Sequence, residues 1–276
     1  MLFLRSLGSR GRSELNSFRT KGIYEAVRLV TDRAIQRLCL SRFRTAMRPS
    51  LHQLAGLAQS VHISALDLVK AGFPEIHLSE LNKIQKEYAE LRIELEKRCS
   101  SMKDWLEYPS WYAIEQETSF LYYAVCRYLA PDTILETGVA NGHSTFFLLQ
   151  ALKKNGNGSL HSIDIADNVG HILTDGERAD WNLHVLAAPQ RKSFSEILNS
   201  IPSVDMFVHD SDHTYGWQLF EYKAAWEAMT PNGILLSDDV DHNLSFYDFC
   251  IKSKKTPLLL VDTRKVSGLI PPEPLT

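Results

Sequence analysis

Two groups of acids carry the strongest chemical signal in this chain: Asp210-Ser211-Asp212-His213 and, beginning 28 positions later, Asp238-Asp239-Val240-Asp241-His242. Each follows a short apolar run that reads as a strand, Val204 to Val208 and Gly233 to Leu236. In a parallel sheet, residues just past the strand ends collect on one edge, where ligands bind. Carboxylates gathered there repel one another unless a cation lies among them. Hard oxygen ligands with open coordination positions suit Mg²⁺, with Mn²⁺ as a substitute. An ion that binds two adjacent oxygens orients a hydroxyl acceptor and favours its alkoxide. His213 and His242 stand at the same edge and can serve beside the ion or as alternative bases. The plainer alternative is helix capping, a role open to Asp212 and Asp241.

A second constellation lies upstream. Ile134-Leu135-Glu136-Thr137-Gly138-Val139-Ala140-Asn141-Gly142-His143-Ser144 reads as a strand, a tight turn and the start of a helix. Glycines four apart allow positive φ and close backbone approach to a ligand. The spacing is not Gly-x-Gly-x-x-Gly, which counts against a dinucleotide oxidoreductase. Asp164 ends a further strand, Ser159 to Asp164, about twenty residues on; a carboxylate there can hold both ribose hydroxyls of an adenosine. The candidate cofactor residues are therefore Glu136, Gly138, Ala140, Asn141, Gly142, Ser144 and Asp164.

These residues need a scaffold, and the spacing supplies one. Strands are expected at Asn182 to Ala187 and at the two runs before the acids, separated by helical stretches such as Tyr215 to Met229. That alternation predicts an α/β, doubly wound and mostly parallel sheet. Pro257 to Val261 and Lys265 to Ile270 read as a closing antiparallel pair.

The Glu-x-Gly-x-Ala-x-Gly turn resembles the first motif of class I S-adenosylmethionine-dependent methyltransferases. Asp205 to Asp210 followed by Leu235 to Val240 resembles the metal-binding half of catechol O-methyltransferase. His209-Asp210-Ser211-Asp212-His213-Thr214-Tyr215 is closer to metal-dependent sugar O-methyltransferases of the macrocin type. The resemblance spans roughly residues 113 to 270. It implies a Rossmann-like, seven-stranded methyltransferase fold, metal ligands at Asp210, Asp238 and Asp239, and a base at Asp212, with His213 the next candidate. It implies S-adenosylmethionine and Mg²⁺ or Mn²⁺ as cofactors, and a hydroxyl acceptor on a sugar, glycoside or glycosylated metabolite. A catechol or phenol acceptor, or a binding module that keeps the fold without catalysis, are the competing readings. The chain departs from relatives at Leu186-Ala187-Ala188-Pro189-Gln190, where they carry a Gly and a polar residue near the adenine.

Composition fits a globular protein with enough apolar material for a full core, with 44% hydrophobic residues and a net charge of −3. The charge is unevenly spread: residues 1–50 carry eleven Lys or Arg against three Asp or Glu. Residues 1–110 are expected to form a helical, basic extension, with 111–276 as the methyltransferase domain. A stripe of Leu81, Ile84, Tyr88, Leu91 and Leu95 marks one helix and Ile23 to Met47 another. The basic helices can pack on the core or on a second subunit. They can also meet an anionic membrane surface, or act as an organellar presequence. Four scattered cysteines without Cys-x-x-Cys argue against zinc and disulfides and fit a cytoplasmic location. No nucleic-acid partner is expected.

Overall fold

The computed structural model describes residues 47–102, 106–110 and 113–272. The Ile23–Met47 helix and its proposed membrane or targeting roles lie outside the described residues, apart from Met47 itself. From Arg48 onward the chain forms one compact unit.

An eight-stranded sheet organises it, in the order β1-β7-β8-β6-β5-β2-β3-β4. The strands are β1 (Ser60–His62), β2 (Thr133–Thr137), β3 (Ser159–Asp164), β4 (Trp181–Val185), β5 (Val204–His209), β6 (Met229–Ser237), β7 (Leu258–Val261) and β8 (Val266–Ile270). All neighbours are parallel except β8, which runs against both β6 and β7. The mostly parallel sheet and closing antiparallel pair therefore match expectation. The sheet has one strand more than seven, because the N-terminal segment contributes β1 beside β7. Only three residues long and without clear alternation, β1 gives periodicity little to act on.

Both faces are covered. Alternate strand residues divide between two cores: Ile134, Met206, Val208, Ile234 and Leu236 face one, while Leu135, Phe207 and Leu235 face the other. The first core is closed by α2 (Ala65–Gly72), α3 (Leu78–Ser101), α4 (Gln116–Leu129) and α5 (His143–Asn155). The second is closed by α1 (Leu51–Leu57), α7 (Gln190–Ser200), α8 (Tyr215–Ala228) and α9 (Ser245–Ser253). A short α6 (Asp175–Ala179) precedes β4. A strand buried on both sides reads as an apolar run, which is why β2, β5 and the end of β6 are legible in sequence. On α3 the whole expected stripe, Leu81 to Leu95, is buried. No described helix is long and apolar enough to cross a membrane.

Register levels the site. Thr137 pairs with His209, and His209 with Ser237. The next residues, Gly138, Asp210 and Asp238, thus leave the sheet side by side. Backbone bonds Asp210 N→Thr137 O and Asp238 N→His209 O, both 2.9 Å, hold them there.

Candidate active site

Positive φ recurs at Gly138 (83°), Ala140 (49°) and Gly142 (95°), coiling the turn between β2 and α5. A side chain at Gly142 would meet the Cα of Gly170 at 2.9 Å, so the turn packs as backbone on backbone. Ala140 takes the left-handed conformation despite its Cβ, a strain of about 1–2 kcal/mol. Asp164 steadies the turn: one oxygen accepts from Val139 N (2.9 Å) and the other from Ala166 N (3.1 Å).

A cleft of about 860 Å³ opens above this edge. Gly138, Ala140, Ser144 and Asp164 border it together with Asp210, Asp212, His213 and Asp239. The volume falls in the range of small-molecule sites.

Three of the expected cofactor residues act from behind the surface. Glu136 is fully buried and does not reach the cleft. Its carboxylate accepts from Ser144 Oγ (2.6 Å), Ser162 Oγ (2.6 Å) and Thr145 Oγ1 (2.8 Å). Burial raises its pKa to about 7 against the pull of those three hydroxyls, and the charge of Asp210 adds to the rise. Glu136 thus ties β2 to α5 and β3. Asn141 clamps the segment before α4, accepting from Tyr108 N (3.2 Å) and donating to Tyr108 O (2.7 Å). Gly142 serves as the N-cap of α5.

At the acid edge the three-residue group changes membership. Among the described residues, Asp210, His213 and Asp239 offer ligand atoms that all lie within 4.8 Å of one another. His213 Nε2 stands 3.5 Å from Asp210 Oδ1 and 3.4 Å from Asp239 Oδ2. Burial opposes charge on this imidazole, but the neighbouring acids outweigh it and raise its pKa. Asp238, expected as a ligand, is fully buried and points elsewhere: its oxygens meet Lys265 Nζ (2.5 Å) and Ser267 Oγ (3.0 Å). The left-handed φ of 50° at Asp239 accompanies this separation of two successive carboxylates. Asp212 is exposed, borders the cleft and accepts from Thr214 N (2.9 Å) and Thr214 Oγ1 (3.1 Å). The N-cap of α8 is Thr214, with no side-chain cap bond, so Asp212 shapes the turn before the helix without capping it and stays at the cleft.

Other site residues were not legible in the sequence. Lys265 borders the cleft from the start of β8, close also to Glu115 Oε2 (3.3 Å) and Asp239 Oδ2 (3.6 Å). Burial works against its charge, but Asp238, Asp210 and Asp239 together hold the ammonium above its ordinary range. Glu221 on α8 gathers the loop that carries Asp210. It accepts from His209 Nδ1 (2.7 Å), Ser211 Oγ (2.7 Å), Thr137 Oγ1 (2.9 Å) and Trp217 Nε1 (2.6 Å). His209 is a buried structural residue, as strand alternation implies. His161 and His184 form a stacked pair on β3 and β4, away from the cleft. His242 lies beside His213, the rings tilted at 41° with centroids 5.7 Å apart.

Residues 135–240, the stretch from the glycine turn to the second acid group, match a family model described as a methyltransferase domain. That stretch of the chain is thus similar to methyltransferase domains. Among solved structures the chain is similar to the O-methyltransferase TomG of Streptomyces achromogenes, involved in tomaymycin synthesis and solved with S-adenosylmethionine. That pair shares 17% identity over 64% of this chain and 89% of the other, with a TM-score of 0.51. It is also similar to cofactor-bound Rv0187 from MTB, at 13% identity over 64% of this chain and 87% of the other, again with a TM-score of 0.51. At these identities the likeness is one of fold. No curated protein matches the chain.

Proposed function

We propose that the protein transfers a methyl group from S-adenosylmethionine to a hydroxyl of a sugar, glycoside or other small metabolite, assisted by one divalent ion. The observation that carries this reading is the convergence of Asp210, His213 and Asp239 on the cleft that the glycine turn also borders. The two carboxylates suit Mg²⁺ or Mn²⁺, the imidazole beside them favours a transition ion such as Mn²⁺ over Mg²⁺, and the set leaves coordination positions free. TomG, solved with S-adenosylmethionine, shares the fold on which this cleft is built.

When bound, S-adenosylmethionine supplies the electrophilic methyl group, and the ion favours ionisation of an oxygen on the acceptor. The protein's own residues do the rest. Each Asp164 oxygen accepts one backbone N–H and keeps a lone pair for a ribose hydroxyl. Gly138, without a side chain, lets the turn pack directly on the Asp210 backbone, so that both border the one cleft. Asp212, solvated and not part of the three-residue group, accepts the acceptor's proton. Tyr108 and Trp217 wall the cleft and exclude water.

The test is calorimetry with S-adenosylmethionine, followed by methyl-transfer assays on sugars bearing adjacent hydroxyls. Asp164→Ala should weaken cofactor binding by about 2–3 kcal/mol. EDTA should stop turnover while cofactor binding survives, and Mg²⁺ or Mn²⁺ should restore it. Full activity in a chelated preparation would remove the metal from the proposal; no cofactor binding at all would remove the whole of it.

A further inference from the structure

Among the described residues that border the cleft, Lys265 is the only lysine or arginine, and it stands beside the acids expected to need a cation. Both oxygens of Asp238 are already engaged, one by Lys265 at 2.5 Å and one by Ser267 at 3.0 Å. Asp239 faces Asp210 and His213 while its Oδ2 stays 3.6 Å from the ammonium, a looser contact than the 2.5 Å bond to Asp238. The lysine is fixed from two sides. Val240 N→Val266 O (2.9 Å) joins the acid turn to the start of β8. Glu115, at the N-cap of α4, approaches the ammonium at 3.3 Å and also holds Arg264 at 2.7 Å. Charges then balance in pairs: Asp238 with Lys265, and Glu115 with Arg264. Asp210 and Asp239 are left as the two carboxylates that face the His213 imidazole, at 3.5 and 3.4 Å.

We propose that Lys265 is a positioning residue that withholds Asp238 from metal coordination, leaving Asp210, His213 and Asp239 as the ligand set. This rests on the metal reading above and gives one half of the paired acids a different role. Replacing an ion pair as a unit avoids stranding a buried charge, which removal of one partner alone would do. The paired replacement therefore separates a ligand from a counter-charge.

The experiment measures Mn²⁺ binding to the full chain by electron paramagnetic resonance, with S-adenosylhomocysteine affinity as the check on folding. Asp239→Asn should weaken Mn²⁺ by about tenfold or more, as loss of a charged ligand does. The double variant Asp238→Asn/Lys265→Met should keep the wild-type Mn²⁺ affinity within about threefold, the scatter expected of a pair removed together. Lys265→Met alone should tighten Mn²⁺, since it frees Asp238 and removes a cation beside the ion. Lost Mn²⁺ binding in the double variant, with cofactor affinity intact, would overturn the assignment and leave the metal reading standing. Weaker or unchanged binding in Lys265→Met would overturn it independently, should the double variant not fold. No Mn²⁺ binding by the wild-type protein would end both readings.

Discussion

Gly138 lies so close to the backbone carbonyl of Asp210 that no side-chain carbon fits between them. The turn expected to meet the cofactor and the loop that begins the acid edge are thereby packed as one piece. Gly138 also has a φ of 83°, so any side chain there is strained as well as crowded. Gly138→Ala should cost about 2–4 kcal/mol of stability, combining backbone strain with overpacking. Urea denaturation reads this directly, and a midpoint equal to wild type would show that the two loops can part freely.

Glu136 makes stability depend on pH. Burial raises its folded pKa to about 7 from an ordinary value of 4.5. Below about 4.5 both folded and unfolded forms are protonated, and the group costs nothing. As pH rises from 4.5 to 7 the unfolded chain loses its proton first, so unfolding gains and stability falls. Above 7 the loss is complete, on the order of 3 kcal/mol for a carboxyl held this far above its ordinary range. Glu136→Gln should flatten this part of the profile. Parallel profiles for variant and wild type between pH 4.5 and 7 would refute the assignment.

Asp212 is the proposed proton acceptor, and its hydrogen bonds to Thr214 show that it also shapes the entry to α8. Asp212→Asn can still accept through its amide oxygen, so metal and cofactor affinities should persist. The rate constant should fall by roughly 10²–10⁴-fold, the usual worth of a general base. Near-normal turnover would reduce Asp212 to a residue that shapes the turn before α8 and direct attention to His242, whose ring lies next to that of His213.

The sequence by itself determined the sheet, its covered faces and the edge on which chemistry gathers. Apolar runs leading into Glu136, Asp210 and Asp238 mark strands buried on both sides, and strand ends in such sheets share an edge. Periodicity also placed the buried stripe of α3 and the inward-facing His209. Which side chains reach the cleft was decided only in three dimensions. Glu136 and Asn141 belong to the expected motif, yet three hydroxyls close over one and the Tyr108 backbone occupies the other. Asp238 and Asp239 are successive in the chain and both near Lys265, yet only Asp239 reaches His213, and the backbone between them is left-handed at Asp239, with a φ of 50°. Lys265 carried no local signal: a single lysine at a strand entry looks like any solvated charge. It reaches the acids only because β8 runs antiparallel beside β6, a pairing between segments far apart in the chain, such as Ser237 with Gly268. Strand ends are set by local pattern, whereas the partner of a charge is set by which strands lie together.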